Sequence, residues 1–468
     1  MKDKKQYDVI IIGGGPAGTT CATMLSREGH EVLLLEKYKF PRFHIGESIT
    51  AFGANAFKKL GIYGELKQIG YVKKKGAEFI FQEKSYSAYF NKSFQNESDE
   101  LPWAFQMARS KLDLLLLENA RKSGATILEQ HVVKRVLFNG ERAIGIEYKD
   151  LSKDAINPPL QYAYAKWIVD ASGQAGMINK QVENNCYNDF LLNKKLAIFN
   201  HWEGDFEITN TDEDVNFKFC IHENRRDWAW YIPIDKNIVS IGVVLSEESI
   251  KNRTEGLEGV FYKYAEQLPF ISDFLKNPTL KPIDKFRSAR DYSYRCKQYY
   301  GDGWVLVGDS AGFIDPIFST GLQIAFSSAF MLVDALHEVL SQKSPNYSKL
   351  KAYNRNVNKL YKINSMFVYL YYLSGLEFEK LWSISHMWKY LKWSGLKYPV
   401  LFFWYALQIR IASKKQARIW GDEVLFGIIK SQNPLANLLL ALSENYERLQ
   451  NRRAKNVISR NQFLEMEV

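Results

Sequence analysis

Apolar and polar positions change period along the chain, and the changes mark out its elements. Asp8–Ile12 is a short run of β-branched apolar residues with the length of a strand buried on both faces. After a glycine-rich turn the period becomes helical to about Glu28, and Val32–Leu35 reads as a second apolar strand ending at Glu36. Trp167–Ala171 and Trp304–Val307 predict two more buried strands, each followed by small residues. Leu112, Leu115, Leu116 and Ala120 place an apolar stripe on a helix over 112–123, and a second apolar helix begins near Leu322 and runs to Leu340. Between about 187 and 298 the pattern alternates, with strand-like runs at Lys218–His222 and Ile238–Leu245 that predict an antiparallel sheet. The stretch from about 345 to 468 is helical in pattern and rich in aromatics, from Phe367 through Trp382, Trp388 and Trp393 to Trp404.

These elements predict an α/β chain. A Rossmann-like lobe takes 1–186 and 287–340, with strands of the other lobe inserted near 74–106. An antiparallel-sheet lobe takes 187–286, and a helical C-terminal region, 341–468, covers its cavity. The length of 468 residues favours two intertwined lobes over a single core.

Two turns carry chemistry. Gly13-Gly14-Gly15-Pro16-Ala17-Gly18 contains GxGxxG between a strand and a helix, and Glu36 stands at the end of the next strand. Glycines there allow a tight turn and close approach to a pyrophosphate, while the acidic residue suits a ribose hydroxyl. The second turn lies in GDGWVLVGDSAGFIDPIFSTGLQIA, residues 301–325, where a strand stops at Gly308-Asp309 and the chain enters a helix through Pro316 and Ser319-Thr320-Gly321. Asp309 can accept hydrogen bonds from a polyol, and the amides after Ser319 can hold a small anion.

The charge balance narrows the partners. The net charge of +10 favours anions such as a dinucleotide, an acidic carrier protein or a membrane surface, but no compact basic-aromatic module points to nucleic acid. Aromatic residues are 14% of the chain, enough to wall a pocket for a flat molecule as well as fill a core. The four cysteines, Cys21, Cys186, Cys220 and Cys296, form no CxxC pair, which predicts reduced thiols, no zinc site and a cytoplasmic setting. The start lacks the apolar region of a signal peptide, and no apolar run reaches spanning length, so membrane association is not expected.

Several residues keep two readings. FPRFHIGES, 40–48, is a surface loop or a loop that closes over a ligand ring, with His44 a packing residue. Lys73-Lys74-Lys75 is a solvated cluster, unless strand alternation turns Lys74 inward. Arg109 serves a phosphate or a surface ion pair. Trp228, Trp230 and Ile232 share one face of a strand, as an apolar wall or as ordinary core.

Together the glycine turn, Gly308-Asp309, FPRFHIGES, WxWxIP at 228–233, DYSYR at 291–295 and FxxPxxSxG at 313–321 resemble the flavin-dependent halogenases. The likeness is strongest to the branch that acts on phenols, pyrroles and carrier-bound aromatics, built on the p-hydroxybenzoate-hydroxylase-like fold. It covers about residues 5 to 340. The resemblance implies a Rossmann-like FAD-binding domain beside a mixed, mainly antiparallel substrate domain. It implies FAD held by Gly13, Gly15, Pro16, Ala17, Gly18, Glu36, Lys37, Arg42, Ile45, Gly46, Glu47, Ser48, Arg109, Asp309, Pro316 and Gly321.

It further implies that FADH2 comes from a separate NAD(P)H-dependent flavin reductase and that O2 and chloride or bromide are co-substrates. Halide sits at the amides of Thr320 and Gly321. Lys74 and Ser319 are catalytic, Lys74 meeting the hypohalous acid, and Trp228, Trp230, Ile232 and Pro233 divide flavin from substrate. On this reading Lys74 faces inward, where desolvation disfavours its ammonium form. Tryptophan halogenases carry glutamate before the motif serine. This chain has Phe318, which implies a phenolic or pyrrolic ring already activated by its heteroatom. Two rivals share the fold: an aromatic monooxygenase or prenyl-chain (geranylgeranyl) reductase, and a non-catalytic escort protein.

Overall fold

A computed structural model describes residues 6–373 except 75, 90–103, 154–156, 184, 189–194, 209–216, 225, 252, 291–292 and 343–345. Lys75, Asp291, Tyr292 and the aromatic stretch from 374 onward lie outside the described residues, and with them most of the expected C-terminal region. Its first part is the helix Ser348–Leu373.

Two eight-stranded sheets organise the chain. In the first, Trp304–Leu306, Leu160–Asp170, Gln6–Ile12, Val32–Glu36 and Thr126–Glu129 run parallel in that order. Its central strands are unbroken apolar runs because helices cover the sheet: Val9 to Ile11 and Leu34 are fully buried. The helices Pro16–Arg27 and Gly321–Ser341 pack on each other, and both leave the strand ends that carry the two glycine turns. The 21-residue helix Gly321–Ser341 has a spanning-length window of mean hydropathy 1.4, but 61% of that window is inside the protein.

The second sheet contains, in order, Lys281–Pro282, Lys195–Glu203, Ile238–Ser246, Trp228–Asp235, Lys218–Ile221, Gly76–Phe81 and Lys84–Tyr89. Every neighbouring pair is antiparallel except Lys218–Ile221 with Gly76–Phe81, which is parallel. A strand from the first quarter of the chain thus completes a sheet made mostly from residues 195–246. Arg287–Arg290 also joins this sheet beside Lys195–Glu203, later than the expected boundary at 286. One face, with Ala229, Tyr231 and Ile241, packs on the helices Leu257–Ala265 and Pro269–Leu275. The other, with Phe199, Trp228 and Trp230, joins the main core toward the first sheet.

The expectation of four reduced cysteines is corrected. Cys186 and Cys296 face each other where Cys186–Asn188 pairs antiparallel with Tyr294–Cys296, and they form a disulfide. Only Cys21 and Cys220 are free, and both are buried. The pairing brings together positions 110 residues apart, which local spacing between cysteines does not reveal.

Candidate functional site

The first strand runs out at Gly13, whose φ is +107° and where a Cβ would lie 2.4 Å from the Ala171 carbonyl oxygen. At Gly18 a Cβ would lie 2.1 Å from the Gly13 carbonyl oxygen. Both positions require glycine, so that the turn, the helix and the Ala171 strand end can meet. Gly15 is the N-cap of Pro16–Arg27, with Pro16 and Ala17 buried in its first turn and no side chain capping it. A Cβ at Gly15 would meet only Arg42 Nη2, at 4.0 Å. This open approach to uncapped helix N–H groups is a cradle for a pyrophosphate, and the residues present fit FAD. Glu36 is buried and accepts the Gly14 N–H at 2.8 Å and the Tyr38 N–H at 2.9 Å. The carboxylate expected at a ribose therefore also fixes the turn. Lys37 lies exposed at the surface, its ammonium 4.7 Å from the Tyr38 ring centre.

Arg109 makes a buried ion pair and not a surface one. Arg109 begins the helix Arg109–Lys122, and its guanidinium meets Asp113 one turn later at 2.8 and 3.0 Å. Its Nη1 donates to the carbonyls of Ile45 and Gly46 at 3.2 and 3.4 Å. Arg42 approaches the same Asp113 at 3.2 Å. One carboxylate thus gathers two arginines under the 40–48 loop, beside the glycine cradle. Across from them, Tyr294 donates to the Asp309 carbonyl, Tyr361 donates to the Gly308 carbonyl at 2.8 Å, and Ser328 accepts the Gly308 N–H at 3.1 Å. Burial pushes the Asp309 carboxyl up to about 6, with the Arg109 charge acting in the opposite direction. Asp309 still ionises at neutral pH and can accept hydroxyl hydrogen bonds. His44 is exposed, with Nδ1 2.6 Å from the Ile45 carbonyl.

Lys74 lies between the short strand Val72–Lys73 and Gly76–Phe81, with its N–H on the Ala104 carbonyl at 3.1 Å. Strand alternation leaves Lys73 exposed and turns Lys74 inward, where it is 3% exposed. Its ammonium donates to Ser48 Oγ at 2.7 Å and lies 3.7 Å from the Phe217 ring centre. Burial lowers its pKa from 10.5 to about 7. Two residues after Ser48, Thr50 donates to Gln323 Oε1 at 3.4 Å. Gln323 is in the first turn of the helix that starts at Gly321, so Lys74 and that helix start are linked through one short segment. On the other side of Ser48, Glu47 is buried and contacts His201 on the second sheet.

The 313–321 turn meets this segment at the helix N-terminus. Pro316–Phe318 is a single tight turn capped by Asp315, which accepts the Ile317 N–H at 3.1 Å. Ser319 follows with φ +55°, and Thr320 leads into Gly321; all three are at least partly exposed. The first N–H groups of the helix have no intrahelical acceptor and point to where an anion would bind. Phe318 is buried in the core.

Trp228, Trp230 and Ile232 share the inward face of their strand. The two indole centres are 6.0 Å apart, and Trp230 is 5.8 Å from Phe199. Trp230 donates to Ser240 Oγ at 3.1 Å, and Pro233 is buried behind Ile232. The wall exists because its cross-strand partner is Gly242: a Cβ there would lie 2.2 Å from the Trp230 ring. Gly242→Ala is therefore expected to displace Trp230 and destabilise the protein by about 1–3 kcal/mol. The measurement is the urea midpoint together with the tryptophan emission maximum.

Sequence reasoning missed Asp113, His201, Lys195 and Asp315. Asp113 was legible as the i+4 partner of Arg109. The others meet their partners only in the folded chain, Lys195 with Asp315 and His201 with Glu47.

A profile of the tryptophan halogenase family matches residues 8–99 and 81–385. Over 351 residues the chain is 30% identical to the tryptophan 2-halogenase of Chondromyces crocatus, covering 74% of this chain and 64% of that protein. It is 29% identical over 398 residues to the 1H-pyrrole-2-carbonyl-peptidyl-carrier-protein chlorinase of Pseudomonas fluorescens, covering 80% and 85%. Against the tryptophan 2-halogenase and two flavin-dependent halogenases of Armillaria mellea, the chain spans 62% to 64% of their length. The solved structure of the myxobacterial chondrochloren halogenase CndH superposes with a TM-score of 0.72 at 26% identity, covering 94% of this chain and 97% of that one. The flavin-dependent brominase Bmp2 shares the fold, with a TM-score of 0.71 at 22% identity over 96% of this chain and all of the other. The glycine cradle, the Gly308-Asp309 turn and the profile match over both sheets agree: this chain belongs to the tryptophan halogenase family, the flavin-dependent halogenases.

Proposed function

We propose that the chain is an FADH2-dependent halogenase that transfers an electrophilic halogen to an electron-rich phenolic or pyrrolic ring through Lys74. The observation that carries this reading is the buried Lys74 ammonium, bonded to Ser48 and linked through Thr50 and Gln323 to the helix start at Gly321. FAD would be held by Gly13, Gly15, Pro16, Ala17 and Gly18 at the pyrophosphate, Glu36 at the ribose, and Arg42, Arg109 and Asp309 beyond it. Ile45, Gly46, Glu47, Ser48, Pro316 and Gly321 would line its ring. Bound as FADH2, it supplies the electrons with which O2 converts a halide to hypohalous acid.

The chain's own residues do the rest. The amides of Thr320 and Gly321 hold the halide against the positive end of the helix. The Lys74 ammonium donates a hydrogen bond to hypohalous acid, and with its pKa near 7 the same nitrogen is partly neutral at physiological pH and nucleophilic. Ser48 fixes its direction. The Trp228/Trp230 wall separates the ring to be halogenated from the flavin. A carbon–halogen bond forms, the halogen–oxygen bond breaks, and the ring proton leaves with the hydroxyl as water. With Phe318 at the position before the motif serine, no carboxylate stands there to assist a weak nucleophile. This favours a phenol or pyrrole over tryptophan. A carrier-bound ring is one form of that substrate, since the Pseudomonas relative is a carrier-protein chlorinase.

The test incubates the protein with FAD, a flavin reductase, NADH, chloride or bromide, and a panel of resorcinols and pyrroles, free and carrier-bound. A halogenated product by mass spectrometry is expected. A product hydroxylated but not halogenated would make the chain a monooxygenase, and no FAD binding would make it a non-catalytic relative.

A further inference from the structure

Lys195 opens the strand Lys195–Glu203 and is 6% exposed. Its ammonium reaches across from the second sheet to Asp315, 3.2 Å away and fully buried. Asp315 uses its other oxygen to cap the Pro316–Phe318 turn through the Ile317 N–H. Lys195 is also paired in register with Ser246, whose N–H donates at 2.7 Å to Asp227, the residue that leads into the Trp228 strand. Burial lowers the Lys195 pKa from its usual value, and the Asp315 and Asp227 carboxylates act in the opposite direction. One buried cation therefore stands between the residue before the tryptophan wall and the turn before Ser319.

We propose that Lys195 is a positioning residue for the halide: by neutralising Asp315 it lets an anion approach the helix start at Gly321, and it fixes that turn to the wall strand. Without it, a buried carboxylate four residues before Ser319 would oppose any anion brought to the same turn. The inference rests on the halogenase reading of this turn. It also gives the two partners opposite signs: loss of the cation weakens halide binding, and loss of the anion strengthens it. A purely structural ion pair would lose halide binding whichever partner was removed.

The test uses Lys195→Met, Asp315→Asn and the double variant. Asparagine keeps an oxygen for the Ile317 N–H. In Lys195→Met the halide KM is expected to rise about tenfold, with the aromatic-substrate KM changed less than about twofold. In Asp315→Asn the halide KM should fall about twofold or more, and the double variant should stay within about threefold of wild type. The second readout is the gain in Tm when sodium chloride replaces sodium acetate at constant ionic strength. It should be largest in Asp315→Asn, intermediate in wild type and smallest in Lys195→Met.

Should Lys195→Met fail to fold, comparing the double variant with Asp315→Asn isolates the same cation, and the double variant must bind halide more weakly. The proposal is overturned if both single changes move halide binding in the same direction, or if neither moves it. A wild type that makes no halogenated product would sink the halogenase reading instead, while the Tm ordering would still report on Lys195.

Discussion

Lys74→Ala is expected to remove halogenated product, by at least about a thousandfold, while NADH-driven flavin reoxidation and peroxide release continue. The split follows from geometry. The nucleotide cradle is made by Gly13, Gly15, Gly18, Glu36 and the Asp113-linked arginines, whereas the lysine side chain meets Ser48 and Phe217. Truncation removes the amine proposed to meet the oxidant and, of the residues proposed to hold FAD, takes a hydrogen bond from Ser48. Product by mass spectrometry and peroxide by a coupled assay read the two halves separately. Retained halogenation would move the amine's role elsewhere, with Lys73 and Lys75 the first alternatives.

The same burial has a consequence for stability whose sign can be worked out. In the unfolded chain the amine keeps its pKa of 10.5, and in the folded protein burial lowers it to about 7. Below pH 7 both states hold the proton, and folding bears the full cost of burying an ammonium. Between pH 7 and 10.5 the unfolded chain holds a proton that the folded one lacks, so stability rises with pH across that window. Each pH unit carries about 1.36 kcal/mol, which makes the whole interval on the order of 4–5 kcal/mol. Lys74→Met, which keeps the volume, is therefore expected to be more stable than wild type at pH 6, and its advantage should shrink toward pH 10. Urea midpoints at the two pH values decide it; an advantage that does not change with pH would contradict the assignment.

Asp113→Ala is expected to cost about 3–5 kcal/mol and to weaken FAD binding by about tenfold or more. Asp113 is fully buried, bidentate to Arg109 and 3.2 Å from Arg42. Its removal leaves two guanidiniums of like charge facing each other under the 40–48 loop. Alanine suits the helix Arg109–Lys122, so the loss is not one of helix propensity. Asp113→Asn, which keeps an acceptor, should fall between alanine and wild type. Chemical denaturation gives the first quantity and FAD fluorescence titration the second.

What could be read from the chain depended on whether the signal was local. The glycine turn, Glu36, the apolar parallel strands and the one-sided tryptophans are all written within a few residues, and the structure has them where their periods place them. Lys74 needed more: its neighbours read as a solvated cluster, and only the family likeness favoured the inward side. Asp113 was overlooked although it stands at the helical spacing from Arg109. Lys195, His201 and the Cys186–Cys296 bond carry no local pattern at all. They are set by which distant segments pack together, as is the pairing of Arg287–Arg290 with Lys195–Glu203.

The parallel pairing of Lys218–Ile221 with Gly76–Phe81 also bears on how the chain is made. Ile80 pairs with Cys220, and 140 residues (220 − 80) must be added between them. At ribosomal speeds of roughly 5–20 residues per second, that is a wait of about 7–28 s for the early hairpin, with Phe79 and its neighbours still without their partner strand. The nascent polypeptide must therefore be shielded through this interval, and its yield in a host will follow translation speed and chaperone supply as well as final stability.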